Sequence, residues 1–499
     1  MKQLFLFVRP PRAIWPFNGP STAFWPPLAF ASLAAALRES VRDLDVAILD
    51  CPSVEMGWKS LARELENRRP AFVGIGEEAV SAHEGLRLAA IAKWLGAKVI
   101  AGGCTFGNLA EEVLSTGLVD LIVRGEGERT IVEAVEAMRG STADRALSDV
   151  EGVAFTCDGQ TILTQNRSLI KDLDTLPLPA WDLLPMERYG RGSRNHPDLV
   201  TLEHSRGCVG SCDFCVLWKQ MGAEANGMTA PCYRSKSPAR SLEEIEALTR
   251  RYGRRYFCWV DPCFNADPGF LEEFAVGLRR KGIVIGQSAW VRTDFLARDE
   301  RSGLLERLVA TGLNEIFVGV ERANGDLSTL GKSWQPPDAL TLLPELSRKY
   351  PNLYVVGSFI YGLPQDSWRT VKAMRDATMD LNLDMAFYIP LTRLPGTRFW
   401  RGDLWDRNAK SLSRMNFLTA DGNKDARRLT WLLAASVLLD WRPKRIVYTL
   451  RSLLAQDARK RRMNRRLVLR GAKFALKRLA APVMFWDGDA MQKPSWYNT

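Results

Sequence analysis

Histidine is scarce in this chain, three among 499 residues, and no nucleophile–histidine–acid triad is found. Cysteine is not organised for disulfides, since the nine are an odd number and three share one short loop. Long apolar runs are missing too. Met1-Lys2-Gln3 leads into only five apolar residues before Arg9-Pro10, too few for the apolar region of a signal peptide. Phe24–Leu37 is apolar but carries Pro26-Pro27 and is too short to cross a bilayer. These absences exclude a disulfide-stapled secreted domain and a membrane-spanning protein. What is present is an ordinary globular composition, 46% apolar and 25% charged, long enough for two or three domains with their own cores.

Acidic residues nearly vanish near the C-terminus. Between Lys424 and Arg478, 17 Lys or Arg face only Asp425, Asp440 and Asp457, a balance of +14 against +11 for the whole chain, so the remainder carries −3. Residues 425–440, with the apolar run Trp431–Leu439, and residues 444–455 and 458–480 read as helices with Arg and Lys among Leu, Val, Ile and Phe. Such helices suit the surface of an anionic membrane. A solvated cap packed on the rest of the chain is the alternative. No RNA-binding motif is present, which argues against a nucleic-acid partner.

The pattern divides the chain in four, with an α/β fold class. Residues 1–140 alternate strands (Leu4–Val8, Val46–Leu49, Phe72–Ile75, Val99–Ala101, Leu121–Val123) with helices near 28–40, 58–68, 83–95, 108–116 and 129–138. This predicts a doubly wound parallel sheet whose ligand site lies past the carboxyl ends of its strands. Glycines stand there: Gly74 and Gly76, Gly102 and Gly103, Gly125 and Gly127 with Glu126 between them. Residues 141–198 are a connector, with a small hairpin over Gly152–Leu163 and an extended proline-rich strap over Leu176–Pro185. Residues 199–400 return strands at 199–204, 255–260, 282–288, 315–320, 353–360 and 385–389, and one intervening helix opens with a capping-box pattern at Ser241-Leu242-Glu243-Glu244. Six βα units predict an open barrel, too few for a closed eight-stranded one. Residues 401–499 form the basic helical C-terminal region.

The densest signal is Cys208-Val209-Gly210-Ser211-Cys212-Asp213-Phe214-Cys215. Three thiolates can hold three irons of a cubane cluster and leave the fourth open to a small molecule, whereas a closed site would want four ligands. A zinc site completed by His204, or three unrelated buried thiols, are the plainer readings. The flanks favour the cluster. Leu199–Leu202 is β-rich and Ser205-Arg206-Gly207 turns straight into the cysteines, so the loop follows a strand, where an α/β barrel places its chemistry. Cys232, Cys258 and Cys263 read as buried small residues.

The cysteine spacing, with an aromatic before the last, resembles the radical S-adenosylmethionine (SAM) enzymes. Trp25-Pro26-Pro27-Leu28, Ala101-Gly102-Gly103 and Val123-Arg124-Gly125-Glu126-Gly127-Glu128 resemble the cobalamin-binding domain that precedes many of their barrels, and the strap resembles the linker between the two domains. The resemblance implies a [4Fe-4S] cluster on Cys208, Cys212 and Cys215. It implies SAM beside Phe214, with Asp261, Arg292 and Glu321 hydrogen-bonding its methionyl or ribose groups. It further implies cobalamin against Gly74, Gly76, Gly102, Gly103, Gly125 and Glu126. One departure matters. Domains that ligate cobalt through histidine carry Asp-x-His-x-x-Gly after the first strand, and here that loop is Arg9-Pro10-Pro11-Arg12. Cobalamin is therefore expected without a protein histidine on cobalt.

The activity so implied is reductive cleavage of SAM to a 5′-deoxyadenosyl radical and methylation of an unactivated carbon in a small or lipid-like molecule. A reductant such as flavodoxin or ferredoxin supplies the electron. The oxygen-labile cluster points to the cytoplasm, with contact at the inner membrane face through 425–480. Oxidative cyclisation or hydroxylation of a tetrapyrrole-like substrate is the alternative chemistry, and a non-catalytic cobalamin or redox sensor the alternative class. The RNA methylthiotransferase branch needs three more N-terminal cysteines, where only Cys51 and Cys104 occur.

Overall fold

Apolar runs that stay buried on both faces make the first sheet. Its strands are β1 (Gln3–Arg9), β2 (Leu44–Asp50), β3 (Phe72–Glu77), β4 (Lys98–Gly103), β5 (Leu121–Val123), β6 (Val153–Cys157) and β7 (Gln160–Leu163), in the order β2-β1-β3-β4-β5-β6-β7. The computed structural model describes residues 2–11, 25–77, 82–140, 143–190, 196, 198–225, 228–323, 327–332, 340–392, 394–400, 429, 432–433, 436–437 and 442–480. Strands β1 to β5 are parallel. Side chains alternate along β1: Phe5 and Phe7 pack with Phe30, Ala34, Ile131 and Val135 on one side, Leu6 and Val8 with Leu61, Leu65, Leu88 and Ala89 on the other. Helices on both faces explain why these strands read as unbroken apolar runs. The hairpin expected in the connector instead extends this sheet, pairing antiparallel with β5 as β6 and β7. The helix expected near 108–116 is two short ones, Cys104–Asn108 and Ala110–Leu114.

The second sheet has six parallel strands in sequence order: β8 (Leu199–Leu202), β9 (Tyr256–Trp259), β10 (Gly286–Val291), β11 (Leu313–Glu321), β12 (Tyr354–Tyr361) and β13 (Met385–Pro390). It does not close, as six units predict. Val200, Leu202, Phe257, Trp259, Ala289, Val291, Ile316 and Val318 join the core beneath the outer helices, among them Pro238–Tyr252 and Pro268–Arg280. The alternate set, with Leu199, Thr201, Tyr256, Cys258, Trp290, Phe317, Val356 and Phe387, faces inward.

Two local expectations are corrected. Strand β10 begins at Gly286, because the preceding helix runs to Arg280 and unwinds through Lys281 and Gly282, leaving Val284 exposed in the connection. The capping residue of the next-to-first barrel helix is Ser237, whose side chain accepts from Arg240 N ahead of Pro238; Ser241 lies buried inside that helix. A proline at the first helical position costs no hydrogen bond, which moves the start upstream.

Two C-terminal helices, Pro443–Leu453 and Ala458–Ala480, lie against the amino-terminal end of the barrel. Lys460 Nζ stands 2.8 Å from Asp384, Tyr354 Oη donates to Asn464 at 3.0 Å, and Met463 is buried on Tyr354 and Val356. The helix expected over 425–440 lies almost wholly outside the described residues. No helix among the described residues is long and apolar enough to cross a membrane.

Candidate functional site

The carboxyl ends of the first sheet open on a cavity of about 570 Å³, within the range of small-molecule sites. Gly74, Gly76, Gly102, Gly103, Gly125 and Glu126 all line it, so the structure gathers the predicted glycines on one floor. Their reasons differ. A Cβ at Gly74 would meet Phe5 and Phe7 at 2.6 Å, and one at Gly76 would meet Phe30 at 2.4 Å, so these two clear room for aromatic packing. Gly103 and Gly125 have φ of +106° and +74° and turn the chain where a side chain would be strained. Trp25, Pro26 and Pro27 form part of the wall, and no histidine is among the described residues that line it. A glycine floor with apolar walls, and no imidazole among its described lining residues, fits a corrin bound without protein histidine.

The cysteine loop begins at Gly207, where φ is +84° and a Cβ would stand 1.9 Å from the Cys232 carbonyl oxygen. No other residue can pass there. Downstream, Asp213 N donates to the Leu330 carbonyl at 3.0 Å, and Arg398 Nη1 pairs with Asp213 at 2.6 Å. Cys208, Cys212 and Cys215 are all partly buried and free of disulfides. The neighbouring Cys263 thiol and the Gly210 amide, against the effect of burial, bring the Cys208 thiol down to about 6, while burial pushes Cys215 up to about 11. The thiolate is the form that ligates iron, and Cys208 reaches it more readily than Cys215 does. Three partly buried thiols on one clamped loop are a donor set that fits an iron–sulfur cluster.

The zinc alternative fails. His204 is fully buried, stacks on Phe270 at 4.2 Å and places Nε2 3.1 Å from the Phe264 carbonyl oxygen. Burial brings it down to about 3, so it stays neutral. Among the described residues no three His, Cys, Asp or Glu side chains gather around one ion. Thiolates of a cubane bind separate irons and need not converge in that way.

Asp261 is fully buried, and its Oδ1 accepts from His204 N (3.1 Å), Ser205 N (2.5 Å) and Ser205 Oγ (2.5 Å). It fastens the turn ahead of the cysteines, while its Oδ2 has no hydrogen-bond partner among the described residues. Burial pushes its carboxyl up to about 7. Arg292 lies over the Phe295 ring at 4.5 Å and forks onto Asp294 at 2.7 and 3.1 Å. Glu321 ends β11 with φ +60°, at a break in the register with β12, and accepts from Lys332 Nζ at 2.9 Å. A non-glycine residue held left-handed at a strand end is a strained position of the kind that clusters at functional sites. Phe214 packs beside Leu330, Leu363 and Leu391.

Sequence reasoning missed the element that joins floor and loop. Arg206, four residues past the end of β8, donates to Glu203 (2.9 Å), Glu126 (3.1 Å) and Glu128 (2.6 Å). Arg234, its partner on a short antiparallel strand, donates to both oxygens of Glu126 at 3.0 and 2.9 Å. Glu126, expected at the cofactor, is thus committed to this ionic cluster while still lining the cavity. Burial opposes every charge here, yet Arg206 holds Glu203 below its ordinary range. The only sequence signal was the charge density of Arg124-Gly125-Glu126-Gly127-Glu128 itself.

Comparison with known proteins agrees with this geometry. A model of the B12 binding domain matches residues 16–135, and a model of the Radical SAM superfamily matches residues 202–377. An uncharacterized methyltransferase of Pyrococcus horikoshii is 26% identical over 400 residues, 79% of this chain and 82% of the relative. An anaerobic magnesium-protoporphyrin IX monomethyl ester cyclase of Rubrivivax gelatinosus is 25% identical over 411 residues, 81% of this chain and 70% of the relative. Among solved structures, the radical SAM methyltransferase TsrM of Kitasatospora setae, with cobalamin and a [4Fe-4S] cluster bound, superposes with a TM-score of 0.61 at 18% identity, over 80% of this chain and 74% of that one. That last likeness is one of fold.

Proposed function

Because this chain belongs to the radical SAM superfamily, with a B12-binding domain ahead of its barrel, we propose that it is a cobalamin-dependent radical SAM methyltransferase acting on an unactivated carbon. The observation that carries this reading is a single cavity lined both by the strand-end glycines and by Glu203, Arg206, Gln220 and Met221, which flank the cysteine loop.

When bound, the cluster and SAM supply a one-electron cleavage that yields a carbon radical, and the corrinoid supplies methyl transfer. The residues of this chain hold and orient. Cys208, Cys212 and Cys215 would take three irons. Phe214 would flank the adenine, and the unpartnered Oδ2 of Asp261, with Arg292 and Glu321, would meet the methionyl or ribose groups of SAM. Gly102, Gly103 and Gly125 would lie under the corrin. The buried cluster of Arg206 with Glu126 and Glu128 keeps the two loops in register, and the apolar walls exclude water from the radical.

The test is anaerobic. Reconstituted, reduced protein supplied with SAM and an extract of the producing cells should release 5′-deoxyadenosine and label a substrate with a methyl group from SAM. A non-catalytic sensor would release no 5′-deoxyadenosine. The likeness to a cyclase favours a second chemistry, oxidative cyclisation or hydroxylation, for which 5′-deoxyadenosine appears without methyl label. A flavodoxin or ferredoxin is the fitting reductant.

We also propose a cytoplasmic enzyme that touches the inner membrane face. One face of Pro443–Leu453 packs on the barrel through Tyr448, whose hydroxyl donates to the Leu383 carbonyl oxygen; the other exposes Ile446, Val447, Leu450 and Leu454 beside Lys444 and Arg451. Full-length protein should co-sediment with anionic liposomes in low salt, and a variant with Ile446→Ser and Leu450→Ser should not. Equal sedimentation of the two leaves these helices as a cap only.

A further inference from the structure

We propose that the substrate presents a flat, uncharged ring system to this site, and that it stacks on Trp290 within the barrel. This rests on the enzymatic reading above and names the class of molecule that reading leaves open. Trp290 is on the inward-facing side of β10: its neighbours Ala289 and Val291 are buried in the outer core, while Trp290 itself is 40% exposed and lines the cavity. One face of its indole is covered by Phe317, at 4.7 Å between ring centroids and 26° between planes. Phe317 in turn lies 6.4 Å from Phe387 with planes 9° apart, so an aromatic row crosses the inside of the barrel.

The adjoining strands β8 and β9 supply small or slender side chains on the same inward face. Thr201 and Cys258 line the cavity, and Val260, just past β9, exposes 43% of its surface into it. Small side chains beside the aromatic row leave the indole face away from Phe317 uncovered by another ring among the described residues. Offset stacking on an indole rewards a flat partner beyond the area it buries.

Charge decides the rest. Every charged side chain lining the cavity is already paired: Arg9 forks onto Asp50 at 2.6 and 2.5 Å, and Glu126, Glu128 and Glu203 share Arg206. A carboxylate, phosphate or ammonium pressed against the Trp290 wall would find no described counter-ion there, and an unpaired charge taken out of water is penalised heavily. Amino acids, nucleotides and sugar phosphates are therefore disfavoured at this wall.

The experiment uses full-length protein carrying its cluster and hydroxocobalamin, held anaerobic without reductant so that nothing turns over. Calorimetric titration compares zinc protoporphyrin IX dimethyl ester, which is flat and uncharged, with a saturated sterol, tryptophan and adenosine monophosphate. The porphyrin ester should bind more tightly than the other three. Trp290→Ala should weaken it about tenfold, Trp290→Phe far less, and Val260→Asp should weaken it as Trp290→Ala does, with iron content and cobalamin affinity unchanged. Stacking is overturned if the ester does not bind, if the sterol binds as well as the ester, if either charged ligand binds better, or if Trp290→Ala leaves the ester's affinity intact. Loss of cobalamin instead of the ester in Trp290→Ala would assign the wall to the corrin and overturn the proposal equally. Because no turnover is required, these outcomes are independent of whether methyl transfer or 5′-deoxyadenosine release is found.

Discussion

Arg206 and Glu128 meet at 2.6 Å, both buried, and they are 78 residues apart in the chain. One ends the turn that leads into the cysteines, the other the loop that closes the glycine floor. Removing the cation strands Glu128 and leaves Glu126 to Arg234 and the Ile170 amide. Arg206→Met should therefore cost about 3–5 kcal/mol in a denaturant unfolding measurement, and Arg206→Lys should recover part of it. The deficit should shrink as pH falls, because carboxylates that lose their cation protonate more readily in the fold and so shed their unpaired charge.

Reconstituted protein should hold about four irons. Cys208→Ala, Cys212→Ala and Cys215→Ala should each lose the brown absorbance and most of the iron. Cys263→Ala should keep both, although its thiol contacts Cys208, because it lies outside the ligating loop. Retention of iron by the triple alanine variant would move the cluster elsewhere.

Bound Co(II) cobalamin should show no nitrogen splitting from a protein histidine in its electron paramagnetic resonance spectrum, since no histidine lines the cavity among the described residues. The last residue of β1 is Arg9, committed to Asp50, which also accepts from Tyr189 Oη at 2.7 Å. Histidine-derived splitting would show that a residue outside this lining reaches the cobalt.

His204 makes the fold acid-sensitive. Its ordinary value of 6.5 is brought down to about 3 by burial, so below pH 6.5 the unfolded chain takes up a proton that the folded one refuses. Stability should fall as pH drops through that window, with a slope from this group approaching 1.4 kcal/mol per pH unit. His204→Phe, which suits a ring stacked on Phe270, should lose one proton's worth of that slope when unfolding is followed from pH 7 to 5. An unchanged slope would mean that the imidazole is protonated in the fold.

Much of this was legible in the sequence, for physical reasons. Runs such as Leu4–Val8 are buried on both faces and so announce themselves, and the three cysteines sit close enough in sequence for their spacing to carry meaning. The prolines of Leu176–Pro185 excluded an α-helix there, but not the single 3-10 turn at Trp181–Leu183. What escaped depended on distance or on ambiguity. The pairing of Arg206 with Glu126 and Glu128 joins residues about eighty positions apart that are individually ordinary surface types. Ser237 and Ser241 both precede plausible helix, and only the proline after the first decides between them. Ile283 to Ile285 looks like strand, but Gly282 sends that stretch outward before β10 begins. The inward register of Trp290 could be counted only once that start was known.

Met463, packed against Tyr354 and Val356, fills space at the amino-terminal end of the barrel. Above it, Trp290 and the glycine floor line one and the same cavity. Traffic is then single-file: whatever stacks against Trp290 must arrive before the space above it fills, and must wait for that space to clear before leaving. Steady-state kinetics should accordingly show a compulsory order of addition, with excess of the later-binding component slowing release of the earlier one.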